Sequence, residues 1–136
     1  MPSDANDPAR ALLRLTLATL WYRAEKNLRG APPDFATFKV GPSSRTPGEI
    51  LAHVGDLFDW GIAMARGSHS WNPVAPQGWA ADADRLHGAI VQFDEILASD
   101  EPLRWPIEQL FQGPVADALT HVGQLNMLRR LAGAPV

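Results

Sequence analysis

Apolar residues recur every three or four positions along most of the chain, which is the spacing of one face of an α-helix. The first such stretch follows Asp7 and Pro8, whose residue types cap and begin helices, and it continues to Arg29. We therefore predict a first helix from Pro8 to about Arg29, with its leucine face in the core. Gly30 comes next and is predicted to end it.

Two further helices are predicted, each after a loop rich in Pro, Gly and Ser. Thr46 and Glu49 have the spacing of a capping box, in which each side chain bonds the backbone N–H of the other residue. The second helix starts there and is expected to end at Gly67, and a third runs from about Trp79 to Ser99. The second helix should turn one stripe towards the core, made of Ile50, His53, Leu57, Trp60 and Met64.

The stretch from Gly113 to Gly133 is predicted to be the last helix, because Gly113-Pro114 is typical of a helix start and Gly133 of a helix end. The preceding RWPIEQLFQ should form only a short helical turn. Most positions of the last helix are apolar or small, so we expect it to be buried on more than one side. Since no strand pattern or repeat occurs, we predict an all-α fold, an antiparallel four-helix bundle forming one domain over residues 1–136.

Composition narrows the classes of function. The 136 residues carry a net charge of −3 without a cluster of Lys or Arg, so we expect no nucleic-acid partner. The chain has no cysteine, so thiol chemistry would need a low-molecular-weight thiol from outside. The polar, acidic start MPSDANDPAR does not look like a leader, and arginines interrupt the apolar run that follows. We therefore expect a cytoplasmic protein with no membrane partner.

The candidate chemistry lies on the last helix. Asp117, His121 and Gln124 follow one another at steps of four and three residues, which places them in one line on a helix. His53 faces inward from the second helix and is the candidate third ligand of a metal site between helices. Two imidazoles and one carboxylate suit Zn, Ni, Fe or Mn and leave an open position for catalysis. The alternative is a hydrogen-bonded polar seam without metal.

Two polar residues beside this set have open interpretations. Gln124 is the candidate catalytic residue, since it lies one turn beyond His121 and could bond water or substrate at the metal. It could equally hydrogen-bond within the seam. Asp56 lies one turn past His53, and we expect it at the surface. The alternative for Asp56 is to accept the second ring N–H of a ligand histidine.

The segments EILAHVGDLFDW and GPVADALTHVGQLNMLRRLAG together resemble the DinB-like superfamily, and the resemblance covers most of the chain. It implies a four-helix bundle, commonly dimeric, with one His ligand from the second helix and an H-x-x-x-H pair from the last. His53 matches the first ligand and His121 the last, whereas Asp117 stands where many members have His. A related branch, the mycothiol-dependent maleylpyruvate isomerases, has Glu there. Asp117 is therefore either a ligand or an acceptor that orients His121.

The remaining titratable residues have more ordinary expectations. His69 and His87 match no ligand position of the family and are predicted to be an ordinary loop and helix histidine. Arg129 and Arg130 lie in the last turn of the last helix, where cations complement the helix end. Binding of an anionic cofactor is the alternative for these two arginines.

The resemblance implies a protein that binds a divalent transition metal, with Zn or Ni the ions we expect. Its activity would be that of a hydrolase or of a low-molecular-weight-thiol transferase acting on a small molecule. The alternative is a non-catalytic dimeric bundle that binds a small apolar ligand or a protein partner. We expect a homodimer in either case, because four short helices cannot cover every side of an apolar last helix.

Overall fold

In a computed structural model that describes residues 7–136, every regular element is helical, which confirms the all-α prediction. Between α1 and α2 a 3₁₀ turn spans Phe35–Thr37, and between α4 and α5 a π-helical turn spans Phe111–Val115. The expectation that the chain does not start with a leader rests partly on residues 1–6, which lie outside the described part. The helices are, in chain order, α1 (Pro8–Leu28), α2 (Pro47–Ala65), α3 (Trp79–Ala98), α4 (Ile107–Leu110) and α5 (Ala116–Leu131).

Local sequence sets where the first two helices begin. The Asp7 side chain accepts hydrogen bonds from the backbone N–H groups of Ala9 and Arg10, as an N-cap does. Thr46 Oγ1 accepts the Glu49 N–H at 3.2 Å, and Glu49 Oε1 accepts the Thr46 N–H at 3.0 Å. The predicted capping box is confirmed, and it fixes the start of the helix that carries His53.

The core forms where the long helices meet. Both α1 and α2 pack against α3 and against α5, and their apolar stripes share one hydrophobic cluster. Phe58 of α2 and Phe93 of α3 meet edge to face, with ring centroids 6.3 Å apart. Gly61 is needed beside them, because a Cβ there would lie only 2.7 Å from the Phe93 ring. None of the helices within residues 7–136 is both long and apolar enough to cross a membrane.

The prediction that Gly113-Pro114 starts the last helix is wrong. The helical path begins at Ile107 and continues through the π-helical turn, which contains Pro114. Proline lacks the N–H that a regular helix interior needs, and the wider turn accommodates it. Gly61 leaves room opposite, since a Cβ there would lie 3.2 Å from Pro114 Cγ. An extra residue in this turn rotates everything after it by about 100°, which sets the face that α5 turns towards α2.

The prediction that the last helix is buried on more than one side is also wrong for this chain. Its buried residues form one face, while Thr120, Gly123, Gln124 and Met127 are exposed. That buried face consists of Ala118, Val122, Leu125, Leu128 and Arg129.

Two buried arginines, which we call the helix-end arginines, bind backbone carbonyls at the ends of neighbouring helices. Arg10 of α1 donates to four carbonyls at the end of α3 and just beyond it, those of Ile96, Leu97, Ser99 and Glu101. Arg129 of α5 donates likewise to the carbonyls of Asn27, Arg29, Gly30 and Ala134. Arg129 therefore complements the carbonyl groups at helix ends, as expected of a cation in the last turn of a helix. All the hydrogen bonds described for its guanidinium go to these carbonyls.

Candidate metal site

The three residues predicted as metal ligands come together between α2 and α5. Nε2 of His53 lies 3.6 Å from Oδ2 of Asp117, and Nε2 of His121 lies 3.5 Å from the same oxygen. One ligand atom from each residue can be chosen so that all three lie within 4.8 Å of one another. The two imidazole rings are perpendicular, with centroids 4.8 Å apart. We call His53, Asp117 and His121 the candidate site.

Local structure explains this placement on both helices. Asp117 and His121 are four residues apart on α5, so their side chains lie one above the other on the same face. His53 lies within the first two turns of α2, whose start is fixed by the capping box. The π-helical turn directly before α5 shifts the helical register by one residue, and after it His121 and Asp117 lie beside His53 of α2.

Gln124 controls the protonation pattern of the His121 ring. Its Oε1 lies 2.8 Å from Nδ1 of His121, so the amide oxygen accepts the Nδ1–H. In the neutral ring this leaves a lone pair on Nε2, which points towards a carboxylate oxygen that also carries lone pairs. Two acceptors that face each other in this way favour a cation or a proton between them. Gln124 was expected either to bond water or substrate at the metal or to hydrogen-bond within the polar seam of the last helix. The structure shows the second, a hydrogen bond with His121.

Burial and charge favour the ligand form of His53. The exposed fractions of the side chains are 22% for His53 and 16% for His121, whereas Asp117 is 49% exposed. Burial lowers the pKa of His53, and the neighbouring His121 and Arg45 lower it further against the opposing charge of Asp117. The neutral imidazole is the form that binds metal ions, so His53 is prepared to act as a ligand near neutral pH.

The two separations that involve the Asp117 oxygen also fit a metal ion. In tetrahedral zinc sites with bonds of about 2.0–2.1 Å, ligand atoms lie about 3.4 Å from one another. The two nitrogen-to-oxygen distances of 3.5 and 3.6 Å are close to this value and longer than ordinary hydrogen bonds. Two imidazoles and one carboxylate are donors that suit a divalent transition metal and leave one position for water or substrate.

An open cleft of about 460 Å³ begins at the two histidines. Sequence reasoning missed the residues just before α2 that line it, because Ser44 and Arg45 lie in a loop without periodicity. It also missed Trp71 as a neighbour of the site, although its ring packs edge-on against His53 at 5.8 Å. The lining consists of Ser44, Arg45, Ile50, His53, His121, Gln124, Met127 and Leu128.

The expectation that Asp56 is exposed is wrong, since only 6% of the residue is accessible. Its Oδ1 accepts hydrogen bonds from Arg85 at 2.7 Å and from the Val74 N–H at 3.1 Å. Arg85 also reaches Asp59 at 2.7 Å. Although burial acts to lower the pKa of Arg85, the hydrogen bonds that it donates to Asp56 and Asp59 outweigh it and raise that pKa. Asp56 therefore binds α3 and the loop before it, not a ligand histidine.

The other two histidines lie in aromatic contacts away from the candidate site. The ring of His87 stacks on Trp21 at 4.5 Å, and that of His69 meets Trp105 at 4.8 Å. Neither belongs to a group of ligand side chains within the described residues.

No family model, no curated protein and no solved structure matches this chain. The chemistry of the candidate site therefore has to be inferred from its own geometry.

Proposed function

We propose that this protein is a metal-dependent enzyme of the DinB-like superfamily, an antiparallel four-helix bundle that holds one divalent transition metal ion, zinc or nickel. The convergence of His53, Asp117 and His121 from two helices carries the proposal, because two nitrogen lone pairs and a carboxylate face one another within 4.8 Å. The packing of α1 and α2 against α3 and α5 supports the bundle.

A divalent ion with an open coordination position supplies a lowered pKa for the water or thiol that it binds. Four residues of this chain would hold and orient the metal ion. His53 and His121 offer ring nitrogens, Asp117 offers a carboxylate, and Gln124 holds the His121 ring in the orientation that turns Nε2 towards Asp117. The cleft beside the histidines has the size of small-molecule sites. We propose hydrolysis, or transfer of a low-molecular-weight thiol, on a small molecule.

Elemental analysis of untagged protein tests the metal directly. We expect close to one zinc or nickel ion per chain in the wild type, and loss of the ion in His53→Ala and in His121→Ala. His87→Ala is the matched control, because His87 contacts Trp21 and should leave the metal content unchanged. Wild-type protein that is purified without metal and also takes up no added zinc or nickel would contradict the proposal.

Asp117 needs a test of its own, since it is either a ligand or an acceptor that orients His121. Loss of the carboxylate in Asp117→Asn should abolish stoichiometric binding if the oxygen is a ligand. If it only orients a histidine, affinity for zinc should fall by about 10- to 100-fold while binding persists. A zinc titration of Asp117→Asn beside Asp94→Asn, a substitution on α3, distinguishes the two roles.

A second candidate, a non-catalytic dimeric bundle, is favoured by an exposed apolar surface that shares no lining residue with the cleft at the candidate site. Leu12 and Leu15 on α1 are 66% and 65% exposed, and Leu12 shares a shallow apolar groove with Phe111. We propose that two copies pair through this surface rather than through α5. Light scattering at micromolar concentration should give a dimer for the wild type and a monomer for Leu12→Glu. A homodimer that binds no metal would favour this second candidate.

A further inference from the structure

The cleft beside the candidate site has one polar end and one apolar side. Arg45 and Ser44 form the polar end, just before α2. Arg45 is the one permanently charged residue among those that line the cleft. The apolar lining residues, which we call the apolar wall, are Ile50, Met127 and Leu128.

Arg45 differs from the helix-end arginines because it is exposed and, within residues 7–136, makes no hydrogen bond to a protein group. Within residues 7–136 its guanidinium makes neither a hydrogen bond nor an ion pair, although its charge helps to lower the pKa of both Glu49 and His53. An arginine offers a planar fork of donors that matches a carboxylate or phosphate. The cation at this end of the cleft is therefore free to bind an anion.

The Ser44 hydroxyl supplies a second and independent sign of a missing partner. Its Oγ is buried and has no hydrogen-bond partner among the described residues. Most buried polar atoms in proteins are hydrogen-bonded, so this exception beside Arg45 favours a polar ligand that contacts the hydroxyl once the Ser44 side chain changes rotamer. Ser44 and Arg45 are adjacent in the chain, and both line the same cleft.

The size and polarity of the cleft restrict what can bind. A volume of about 460 Å³ accommodates a molecule of modest size. One arginine matches one negative charge, and the apolar wall favours a hydrocarbon part over a second charged group. A singly charged carboxylate with a short apolar chain meets both conditions better than a multiply charged phosphate.

We propose that the cleft binds a small amphiphilic carboxylic acid, with its carboxylate on Arg45 and the Ser44 hydroxyl and its apolar chain along the apolar wall. This inference rests on the proposed function, because it names the class of substrate whose reactive group would be presented to the metal at His53 and His121. Arg45 and Ser44 are then residues that determine specificity.

The test compares hexanoate with hexanamide, which has the same chain without the charge, by NMR titration of the intact protein with and without zinc. We expect hexanoate to bind at least about tenfold more tightly than hexanamide, as a charge-assisted pair allows. This preference should disappear in Arg45→Met, fall in Arg45→Lys because the fork is lost, and weaken severalfold in Ser44→Ala. Arg23→Met, an exposed change on α1 outside the cleft, is the matched control and should keep the full preference.

The outcomes separate this inference from the metal proposal. Equal binding of hexanoate and hexanamide overturns the inference. A preference for hexanoate that survives in Arg45→Met overturns it as well. If that preference survives in the zinc-loaded protein, the carboxylate binds the metal and not Arg45. Zinc uptake is measured in the same samples, and Arg45→Met should still bind one zinc ion per chain. The protein could also prefer hexanoate in an Arg45-dependent way and yet bind no zinc or nickel. This result would support the carboxylate-binding cleft and contradict the proposed metal function.

Discussion

The helix-end arginines and the candidate site are both made of partly or fully buried polar groups, but their partners differ in kind. Arg10 and Arg129 place donors against carbonyl acceptors at 2.7–3.4 Å, so the protein itself satisfies them. At the candidate site, Nε2 of His121 and a carboxylate oxygen face each other at 3.5 Å without a hydrogen bond. The arginines are therefore satisfied within the fold, whereas the candidate site leaves acceptor atoms facing one another, as the proposed metal site requires.

The largest effect should come from removing a helix-end arginine. Arg10→Met and Arg129→Met each leave several carbonyls without their charged donor, and we expect the free energy of unfolding to fall by about 3 kcal/mol. Urea denaturation measures the change. The exposed Arg23→Met should alter stability by less than about 0.5 kcal/mol. A loss below about 1 kcal/mol in both buried variants would contradict the conclusion that these two arginines stabilise the fold.

Next in size is the effect of metal on the stability of the wild type. Zinc at 100 times its dissociation constant should raise the free energy of unfolding by about 2.7 kcal/mol, since it binds the folded state. His121→Ala should gain none of this, while its metal-free stability stays within about 1 kcal/mol of the wild type. Thermal melts with and without zinc measure both quantities. A metal-free His121→Ala that is strongly destabilised would instead mark the site as structural.

Gln124 should matter for metal affinity rather than for stability. Gln124→Leu removes the acceptor for the His121 Nδ1–H, and we expect zinc affinity to fall by about 10- to 100-fold. Gln109→Leu makes the same change at an exposed position of α4 and should leave affinity unchanged. Competition with a chromogenic chelator gives both dissociation constants. Equal affinities for the two variants would mean that Gln124 does not position His121.

The smallest effect is expected at an exposed contact, the capping box of α2. The Thr46 backbone N–H, and then its hydroxyl, hold the pKa of Glu49 below its ordinary value of 4.5. Because the folded-state pKa is the lower one, this contact stabilises the fold above pH 4.5 and is lost as the pH falls through the folded-state pKa. Wild type should melt slightly above Glu49→Gln at pH 7, and the two should converge in acid. The exposed Glu95→Gln should show no such pH-dependent difference.

The sequence resolved features that depend on neighbours along the chain. Asp7 and the Thr46–Glu49 pair identified two helix starts, because caps act over three or four residues. The steps of four and three from Asp117 to Gln124 placed these side chains on one face for the same reason. The predicted ends of the helices also agree with the structure to within a residue or two.

Features that depend on distant residues were decided by the tertiary structure. Asp56 is buried because Arg85 of α3 neutralises it, and Arg129 is buried because carbonyls at the end of α1 accept its donors. The π-helical turn through Pro114 depends on the space that Gly61 leaves on another helix. The periodicity of the sequence indicates which face of a helix a residue occupies. Only the packing of the helices determines which residues that face contacts. The sequence by itself therefore determined the helices and the line of candidate ligands. The tertiary structure brought His53 to that line and, within residues 7–136, left the Arg45 guanidinium without a hydrogen bond.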